Sequence, residues 1–271
     1  MSKTITVWGS PGSGKSMFCC ILAKALTRDK RKAIIISGEP GIPMLPVWLP
    51  EQITTTAVSI GQVLTSVEID TSQVASHVTV LKNYPYIGLM GYCAGENPLS
   101  YPETDYQMAL QLISSAKKLV DYVILDCGSA MTNVFTPAAI ESGDLVLRIV
   151  TPDLKGIVYL RFTRYCTISS FNTVTARSES FSPAPAMVKE IDRCATEGGM
   201  FQAIKYCNSK YTASLNKILE ALEQMELAER QEEDAYEAGY EDGEYPEEEY
   251  EQAPDEEGGY EYGYREADSD E

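Results

Sequence analysis

A glycine-rich segment between a predicted strand and a predicted helix constrains the fold of this chain more than any other feature. Residues 9–16 read Gly-Ser-Pro-Gly-Ser-Gly-Lys-Ser and match the pattern G-x-x-x-x-G-K-[ST] in full. The β-rich run at residues 4–8 precedes the segment, and residues 17–26 have a helical pattern. This order of strand, tight loop and helix predicts a phosphate-binding loop at the carboxyl end of the first strand.

Each residue type in this loop has a chemical role in phosphate binding. Glycines let the backbone wrap so that successive amide groups point at phosphate oxygens, and the helix N-terminus adds partial positive charge. We expect Lys15 to reach the β- and γ-phosphates of ATP and the Ser16 hydroxyl to bind Mg²⁺. A glycine-rich turn with a chance lysine is the alternative. The predicted nucleotide-binding residues of the loop are Gly9, Ser10, Pro11, Gly12, Ser13, Gly14, Lys15, Ser16 and Met17.

A second acidic residue usually helps to hold the hydrated magnesium ion, and Asp126 has the expected position. It ends the apolar run at residues 122–125 and is followed by the small residues 127–129. Open α/β sheets bind ligands at the carboxyl ends of their strands, where Asp126 would lie near the phosphate loop. We therefore predict Asp126 as a metal ligand and, with Lys15, as a catalytic residue. Capping of the next turn is the alternative.

Three other acidic residues and the single histidine are candidates for different roles. Glu39 follows the second predicted strand, so it either positions water at the same sheet edge or belongs to an ordinary turn. Asp144 and Asp153 flank the fifth predicted strand, and we interpret both as structural caps. His77 has no cluster of Cys or His around it, so a zinc site is not expected.

Short apolar runs alternate with helical patterns, as in strands buried on both faces of a parallel sheet. The alternation predicts an α/β fold with a doubly wound, mostly parallel sheet of the P-loop NTPase type. A final amphipathic helix over 211–229 is predicted to cover this sheet. The predicted strands are residues 4–8, 33–36, 87–90, 122–125 and 145–150. Predicted helix starts are Asp70 with Gln73, Thr104 with Gln107, Thr136, Thr151 and Ser182.

The charge of the chain is concentrated near its C-terminus. The 271 residues contain 22 Lys and Arg against 40 Asp and Glu, a formal charge of −18. Residues 226–271 contain 21 acidic and two basic residues, whereas residues 1–225 are almost neutral. Beyond Leu227 too little apolar surface remains to offset the entropy of ordering. We predict a P-loop domain over 1–229 and a disordered, acidic, Tyr- and Gly-rich tail over 230–271, which either solubilises the protein or docks a partner.

Composition also narrows the function classes. The seven cysteines form no C-x-x-C pair, so we interpret them as reduced thiols. No signal-peptide core and no transmembrane segment of 18 apolar residues is visible, which favours a cytoplasmic protein. No G-x-S-x-G motif supports a serine hydrolase. The acidic tail disfavours broad binding of nucleic acid, while DNA binding by the near-neutral part stays open.

Three motifs occur in a characteristic order along the chain. They are W-G-S-P-G-S-G-K-S at 8–16, V-D-Y-V-I-L-D-C-G-S at 120–129 and L-V-L-R-I-V-T-P-D at 145–153. Their order resembles the ParA/MinD family of P-loop ATPases, including ParA-like proteins of mobile elements and TadZ-like relatives. The resemblance implies an ATP-promoted homodimer, released by hydrolysis, that serves partition, conjugation or positioning. It also implies that Asn172 recognises adenine and that the Pro-containing loop at 182–185 lies beside the base.

The chain departs from that family at two places. The family motif K-G-G-x-G-K-[ST] has an extra lysine that reaches the phosphates of the dimer partner, whereas this chain has Ser10 there, followed by Pro11. The second predicted strand offers Glu39 in place of the family's Asp-x-Asp ending. Loss of a cation should slow phosphoryl transfer, which depends on electrostatic stabilisation. We therefore expect ATP binding with slow hydrolysis.

Two other functions stay open beside the Mg-ATP-dependent switch. A nucleotide-locked adaptor would retain ATP or ADP without turnover and recruit an unknown protein partner through the acidic tail. A small-molecule kinase would need a cationic lid over the phosphates. The candidates for such a lid are Arg161, Arg164 and Arg177.

Overall fold

The structure is a computed structural model that describes most of the first 150 residues and separate segments after them. The described residues are 2–49, 57–101, 104–150, 156, 158–159, 173–177 and 212–241, with the backbone alone described for 173–177, 212–214 and 235–241. The chain divides into two units, Met1–Leu222 and Glu223–Glu271. The first unit contains the sheet and the phosphate loop.

A seven-stranded sheet lies at the centre of the first unit, in the order β3-β4-β2-β5-β1-β6-β7. All neighbouring strands pair in parallel except β3, which is antiparallel to β4 at one edge. The strands are β1 (Lys3–Gly9), β2 (Ala33–Ser37), β3 (Thr79–Val80), β4 (Ile87–Met90), β5 (Tyr122–Asp126), β6 (Leu145–Val150) and β7 (Thr173–Arg177). The predicted α/β fold with a mostly parallel sheet is confirmed, as are all five predicted strands.

Seven helices are present in the described part of the chain, and none of them is long and apolar enough to span a bilayer. The predicted start at Asp70 is confirmed, because its carboxylate accepts a hydrogen bond from the Gln73 amide at 2.6 Å. The helices are α1 (Lys15–Leu26), α2 (Leu45–Trp48), α3 (Ile60–Leu64), α4 (Thr71–His77), α5 (Tyr106–Lys117), α6 (Phe135–Glu141) and α7 (Thr212–Glu241).

Two of the predicted helix starts are wrong by one or two residues. Helix α5 is capped by Asp105 instead of Thr104, and the Asp105 carboxylate accepts from the Gln107 amide at 3.2 Å. Thr136 lies inside α6, where its amide donates to the Asn133 side chain at 2.8 Å. In α5 the Asp105 carboxylate takes the place expected for the Thr104 hydroxyl. Helix α6 begins at Phe135, before Thr136, and Asn133 accepts from the Thr136 amide in its first turn. The starts predicted at Thr151 and Ser182 lie outside the described residues.

Apolar layers cover both faces of the sheet, and β1 contributes to both of them. Ile5 and Val7 face the layer formed with α1 and the first part of α7, whereas Trp8 faces the layer formed with α3, α5 and α6. This division follows the alternation of side chains along a strand. The layers hold the sheet rigidly, so the carboxyl ends of its strands are a fixed platform for the phosphate loop.

Helix α7 begins within one residue of its predicted start and extends past its predicted end at residue 229. Ile218 and Leu222 are buried in the apolar layer of the first unit, which confirms the predicted covering helix. The helix continues to Glu241 because residues 226–241 are rich in Glu and Ala, which have good helix propensity. The domain boundary at residues 229 and 230 stays a prediction.

Leu222→Ala should lower the free energy of unfolding by about 2 to 4 kcal/mol, because it leaves a cavity in a closed apolar layer. Leu222 is 2% exposed. The matched control is Leu227→Ala on the same helix, where the side chain is 56% exposed and the expected change is within about 0.5 kcal/mol. Urea unfolding followed by circular dichroism measures both changes. Equal effects of the two substitutions would contradict the assignment of Leu222 to the core.

Candidate functional site

The predicted phosphate loop connects β1 to α1 at the carboxyl edge of the sheet. β1 ends at Gly9 and α1 begins at Lys15, so five residues make the turn. Gly12 and Gly14 have φ angles of 68° and 85°, in the left-handed region that L side chains rarely adopt. The local conformation of the loop therefore requires glycine at these two positions of the motif.

Gly9 has a different role from the other glycines of the motif. It pairs with Ile149 of β6, and a Cβ atom at Gly9 would lie 1.7 Å from the Ile149 carbonyl oxygen. The next amide, that of Ser10, donates to the same oxygen at 3.0 Å. Close packing of β1 on β6 thus excludes any side chain at Gly9. The sequence motif alone assigned this glycine to phosphate binding, and its nucleotide contact stays a prediction.

The Lys15 ammonium group lies across the mouth of the loop. Its Nζ atom donates to the Ser10 carbonyl oxygen at 3.1 Å and to the Ser129 hydroxyl at 2.7 Å. Burial lowers the pKa of Lys15, while the carboxylate of Asp126 is the strongest influence in the opposite direction. Both hydrogen-bond acceptors are neutral oxygens, so a phosphate at this place would form stronger, charge-assisted bonds with the ammonium group.

Asp126 ends β5 and lies beside the ends of two other strands. In the sheet register it pairs with Val7 of β1 and with Ser37 of β2, and it is 3% exposed. Burial raises the pKa of Asp126 to about 6, although the Ser16 hydroxyl and the Lys15 charge act to lower it. The sheet thus brings the two predicted catalytic residues, Lys15 and Asp126, to one site.

The polar groups around Asp126 fit a hydrated magnesium ion. Asp126 Oδ1 and the Ser13 hydroxyl are buried, and neither has a hydrogen-bond partner among the described residues. Buried polar atoms in proteins normally have partners, so these two unpartnered atoms indicate room for a polar ligand. Carboxylate, hydroxyl and water oxygens are the ligands that Mg²⁺ prefers.

Glu39 reaches from the end of β2 to the turn that follows Asp126. A Cβ atom at Gly128 would lie 2.1 Å from Glu39 Oε2, so the absence of a side chain at Gly128 makes room for this carboxylate. The other oxygen, Oε1, accepts from the Gly41 amide at 3.1 Å. Both sequence interpretations of Glu39 therefore agree with its position: it forms a turn hydrogen bond, and it lies at the edge of the candidate site.

The remaining candidates lie away from the site or outside the described residues. Asp144 is structural as predicted, since its carboxylate accepts from the Thr4 amide at 2.6 Å and pairs with Lys117 at 3.2 Å. The Nδ1 atom of His77 lies 2.8 Å from the Gln73 carbonyl oxygen. Strand β7 begins at Thr173, directly after Asn172. Residues outside the described part, or without a described side chain, are Asp153, Arg161, Arg164, Asn172, Arg177 and the loop 182–185.

The contacts of Ser129 and Tyr159 were missed by sequence reasoning. Ser129 accepts from Lys15, and the Tyr159 hydroxyl donates to the Ser129 carbonyl oxygen at 3.1 Å. The small residues after Asp126 were a weak signal for Ser129, because they mark a tight turn at the same edge of the sheet as the loop. No local pattern pointed to Tyr159, whose contact spans 30 residues of sequence.

Solved structures of two related kinds of ATPase share this fold. The ParA family ATPase from Chlorobium tepidum TLS has a TM-score of 0.61 at 14% identity, over 77% of this chain and 93% of that chain. The cell division ATPase MinD of Pyrococcus furiosus has a TM-score of 0.59 at 17% identity, over 83% of this chain and 100% of that chain. The septum site-determining protein MinD from Pyrococcus horikoshii OT3, in complex with Mg-ADP, has a TM-score of 0.58 at 14% identity. The similarity covers 83% of this chain and 97% of that chain.

These similarities define the class of fold. The chain has the α/β fold of the P-loop NTPases. Within that class it has the fold of the ParA and MinD ATPases. No protein-family model matches the sequence, and no curated protein sequence matches it either.

Asp126→Asn should stabilise the protein in the absence of nucleotide and metal. Because the pKa of Asp126 is about 6 when folded against 3.8 normally, the folded chain keeps its proton longer than the unfolded chain. Stability therefore falls as the pH rises from about 4 to about 6 and stays reduced above that, by about 3 kcal/mol. The neutral amide removes this cost, which urea unfolding in EDTA at several pH values can measure.

The matched control for this prediction is Asp144→Asn, which removes a carboxylate from a structural ion pair. Here we expect a loss of stability of up to about 1 kcal/mol, because Asp144 and Lys117 are partly exposed. If Asp126→Asn lowered the free energy of unfolding at neutral pH and left its dependence on pH unchanged, the electrostatic description of the site would be contradicted.

Proposed function

We propose that this chain is a Mg-ATP-binding ATPase that acts as a nucleotide-dependent switch, with slow hydrolysis. The observation that carries the proposal is the meeting of the Lys15 ammonium group and the unpartnered Asp126 carboxylate oxygen beside a glycine-rich loop. The fold supports it, because a structural neighbour with that fold, the MinD protein from Pyrococcus horikoshii OT3, is in complex with Mg-ADP.

Each residue of the site has a specific role in this proposal. The loop amides and Lys15 bind the β- and γ-phosphates, and the Gly12 and Gly14 conformations keep the loop open for them. Ser16 and Asp126 would hold the magnesium ion, the carboxylate acting through a water ligand. When bound, the ion neutralises charge on the phosphate oxygens. We place the protein in the cytoplasm, as the sequence suggests.

Slow hydrolysis follows from the charges that the loop contains. Lys15 is the single lysine of residues 9–16. Ser10 is buried and neutral, and it stands where the motif of the ParA/MinD family has its second lysine. Less positive charge is then available for the developing charge on the phosphates. We assign Glu39 the positioning of the attacking water, since its carboxylate lies against Gly128.

A nucleotide-dependent homodimer is part of the same proposal. Exposed apolar side chains follow three strands at the nucleotide edge, Ile42 after β2, Leu99 after β4 and Met131 after β5. A second copy that covered this edge would bury them and exclude water from the phosphates. The acidic residues after 222 suit a protein partner with a basic surface. The biological role would be partition, conjugation or positioning.

A nucleotide-locked adaptor is the second candidate, and Ser10 favours it. Without the second lysine, the site still has the groups that bind phosphate and magnesium but has less charge to stabilise the transition state. Bound nucleotide would then hold the fold and the dimer without turnover. The two candidates differ in one observable, the rate of phosphate release.

Lys15→Ala should abolish nucleotide binding, because it removes the cation at the phosphates. Asp126→Ala should remove the increase in affinity that Mg²⁺ gives and leave weaker, Mg-free binding. Lys24→Ala is the matched control on the same helix, since Lys24 lies over the ring of Tyr84, away from the loop. Calorimetric titration of ATP with and without Mg²⁺ measures all three, and unchanged Mg-ATP affinity in the first two variants would contradict the site.

The full chain should release phosphate from ATP slowly, but faster than Lys15→Ala. The mass of the protein in solution should correspond to a dimer with ATP and to a monomer with ADP. The Lys15→Ala protein is the blank for contaminating ATPases. Tight binding with release equal to the blank would favour the adaptor over the ATPase.

A further inference from the structure

A continuous series of contacts leads from Lys15 back to the residue before the phosphate loop. Lys15 Nζ donates to the Ser129 hydroxyl, and the Ser129 carbonyl oxygen accepts from the Tyr159 hydroxyl. The Tyr159 ring meets the Trp8 ring edge-on, with ring centroids 5.7 Å apart. Trp8 directly precedes Gly9, so the series connects both ends of the loop through the turn after Asp126.

Trp8 is held tightly at the end of this series. It is 1% exposed, and it lies beside Arg148 in the sheet register of β1 and β6. The guanidinium carbon of Arg148 lies 5.2 Å from the centre of the indole ring, so Trp8 contacts a cation as well as Tyr159. Interiors packed in this way transmit small displacements to their neighbours. A change at Tyr159 therefore reaches the Trp8 environment.

Ser129 and a bound phosphate compete for the same ammonium group. A lysine has three donors, and two of those on Lys15 are used by the Ser10 carbonyl oxygen and the Ser129 hydroxyl. Contact with two phosphate groups needs at least one of the donors now used. Phosphate oxygens are charged acceptors and form stronger bonds than a neutral hydroxyl. Phosphate binding is therefore expected to break the bond between Lys15 and Ser129.

We propose that Ser129 and Tyr159 form a coupling pair that reports phosphate binding at Lys15 to the Trp8–Arg148 cluster. Loss of the Lys15 bond frees the Ser129 side chain, and the Ser129 carbonyl oxygen then shifts relative to the Tyr159 hydroxyl. Both are positioning residues, since they act through Lys15. The proposal rests on the proposed function, because it requires a phosphate ligand at Lys15.

Two substitutions break the series at different places. Ser129→Ala removes the hydroxyl that competes with phosphate, so nucleotide should bind about two- to tenfold more tightly, the fold-change expected for one hydrogen bond. Tyr159→Phe keeps the ring against Trp8 and removes the hydroxyl that anchors Ser129, so it should also tighten binding. Because both changes act on one series, the double variant should bind about as tightly as Ser129→Ala alone.

The test uses the full chain and, as the probe, Mg²⁺ with a non-hydrolysable ATP analogue, because the analogue keeps both the β- and the γ-phosphate. Calorimetry gives the affinities of the parent, Ser129→Ala, Tyr159→Phe and the double variant. Tyr106→Phe is the matched control, because it also loses a tyrosine hydroxyl bond, to Glu141, outside the series. We expect its affinity to equal that of the parent.

Trp8 fluorescence is a second measurement. It would not respond to the nucleotide if Ser129 and Tyr159 had only a structural role. The chain has two tryptophans, so Trp48→Phe leaves Trp8 as the single emitter. In that background, the Mg²⁺-bound ATP analogue should change the Trp8 emission, and Tyr159→Phe should remove the change while binding persists. If Trp48→Phe does not fold, the calorimetric comparison in the native background tests the proposal by itself.

The outcomes separate this proposal from the proposed function. Binding of the Mg²⁺-bound ATP analogue with unchanged Trp8 emission, or with affinity that is unchanged or weaker in Ser129→Ala and Tyr159→Phe, would overturn the coupling and leave the nucleotide site intact. Failure of the parent to bind the Mg²⁺-bound ATP analogue would overturn both. Tighter binding in both variants, without additivity, supports the coupling.

Discussion

The candidate site depends on two opposite charges that the sheet holds in a buried place. Lys15 begins α1 and Asp126 ends β5, and each lowers the cost of burying the other. Their attraction does not remove that cost, because burial still lowers the pKa of the lysine and raises that of the carboxyl group. Charged groups with pKa values perturbed by burial and by a specific partner are typical of functional sites.

Close backbone packing holds the strands that carry these charges in fixed positions. β1 lies between β5 and β6, so the phosphate loop leaves the sheet between two buried strands. The absence of a side chain lets Gly9 approach Ile149 and lets Gly128 approach the Glu39 carboxylate. Two apolar layers fix these strands from both faces. The positions of the functional groups are therefore set by the sheet itself.

Much of this architecture could be predicted from the sequence, for reasons that differ between elements. The strands were predictable because buried parallel strands are unbroken apolar runs, and Lys15 and Asp126 were predictable because each follows or ends such a run. Strand β3 has two residues and no apolar pattern, so nothing marked it. Lys15 contacts Ser129, and Ser129 contacts Tyr159, through segments that meet only in the folded chain. The sequence therefore had no sufficient signal for Ser129 or Tyr159.

The central claim, that Lys15 and Asp126 form one Mg-nucleotide site, is tested most directly by a crystal structure of the full chain with Mg²⁺ and a non-hydrolysable ATP analogue. We expect Lys15 Nζ at hydrogen-bond distance from the γ-phosphate, and a metal ion on the Ser16 hydroxyl with one of its waters on Asp126. Phosphates bound elsewhere, with the bond between Lys15 and Ser129 intact, would contradict the claim.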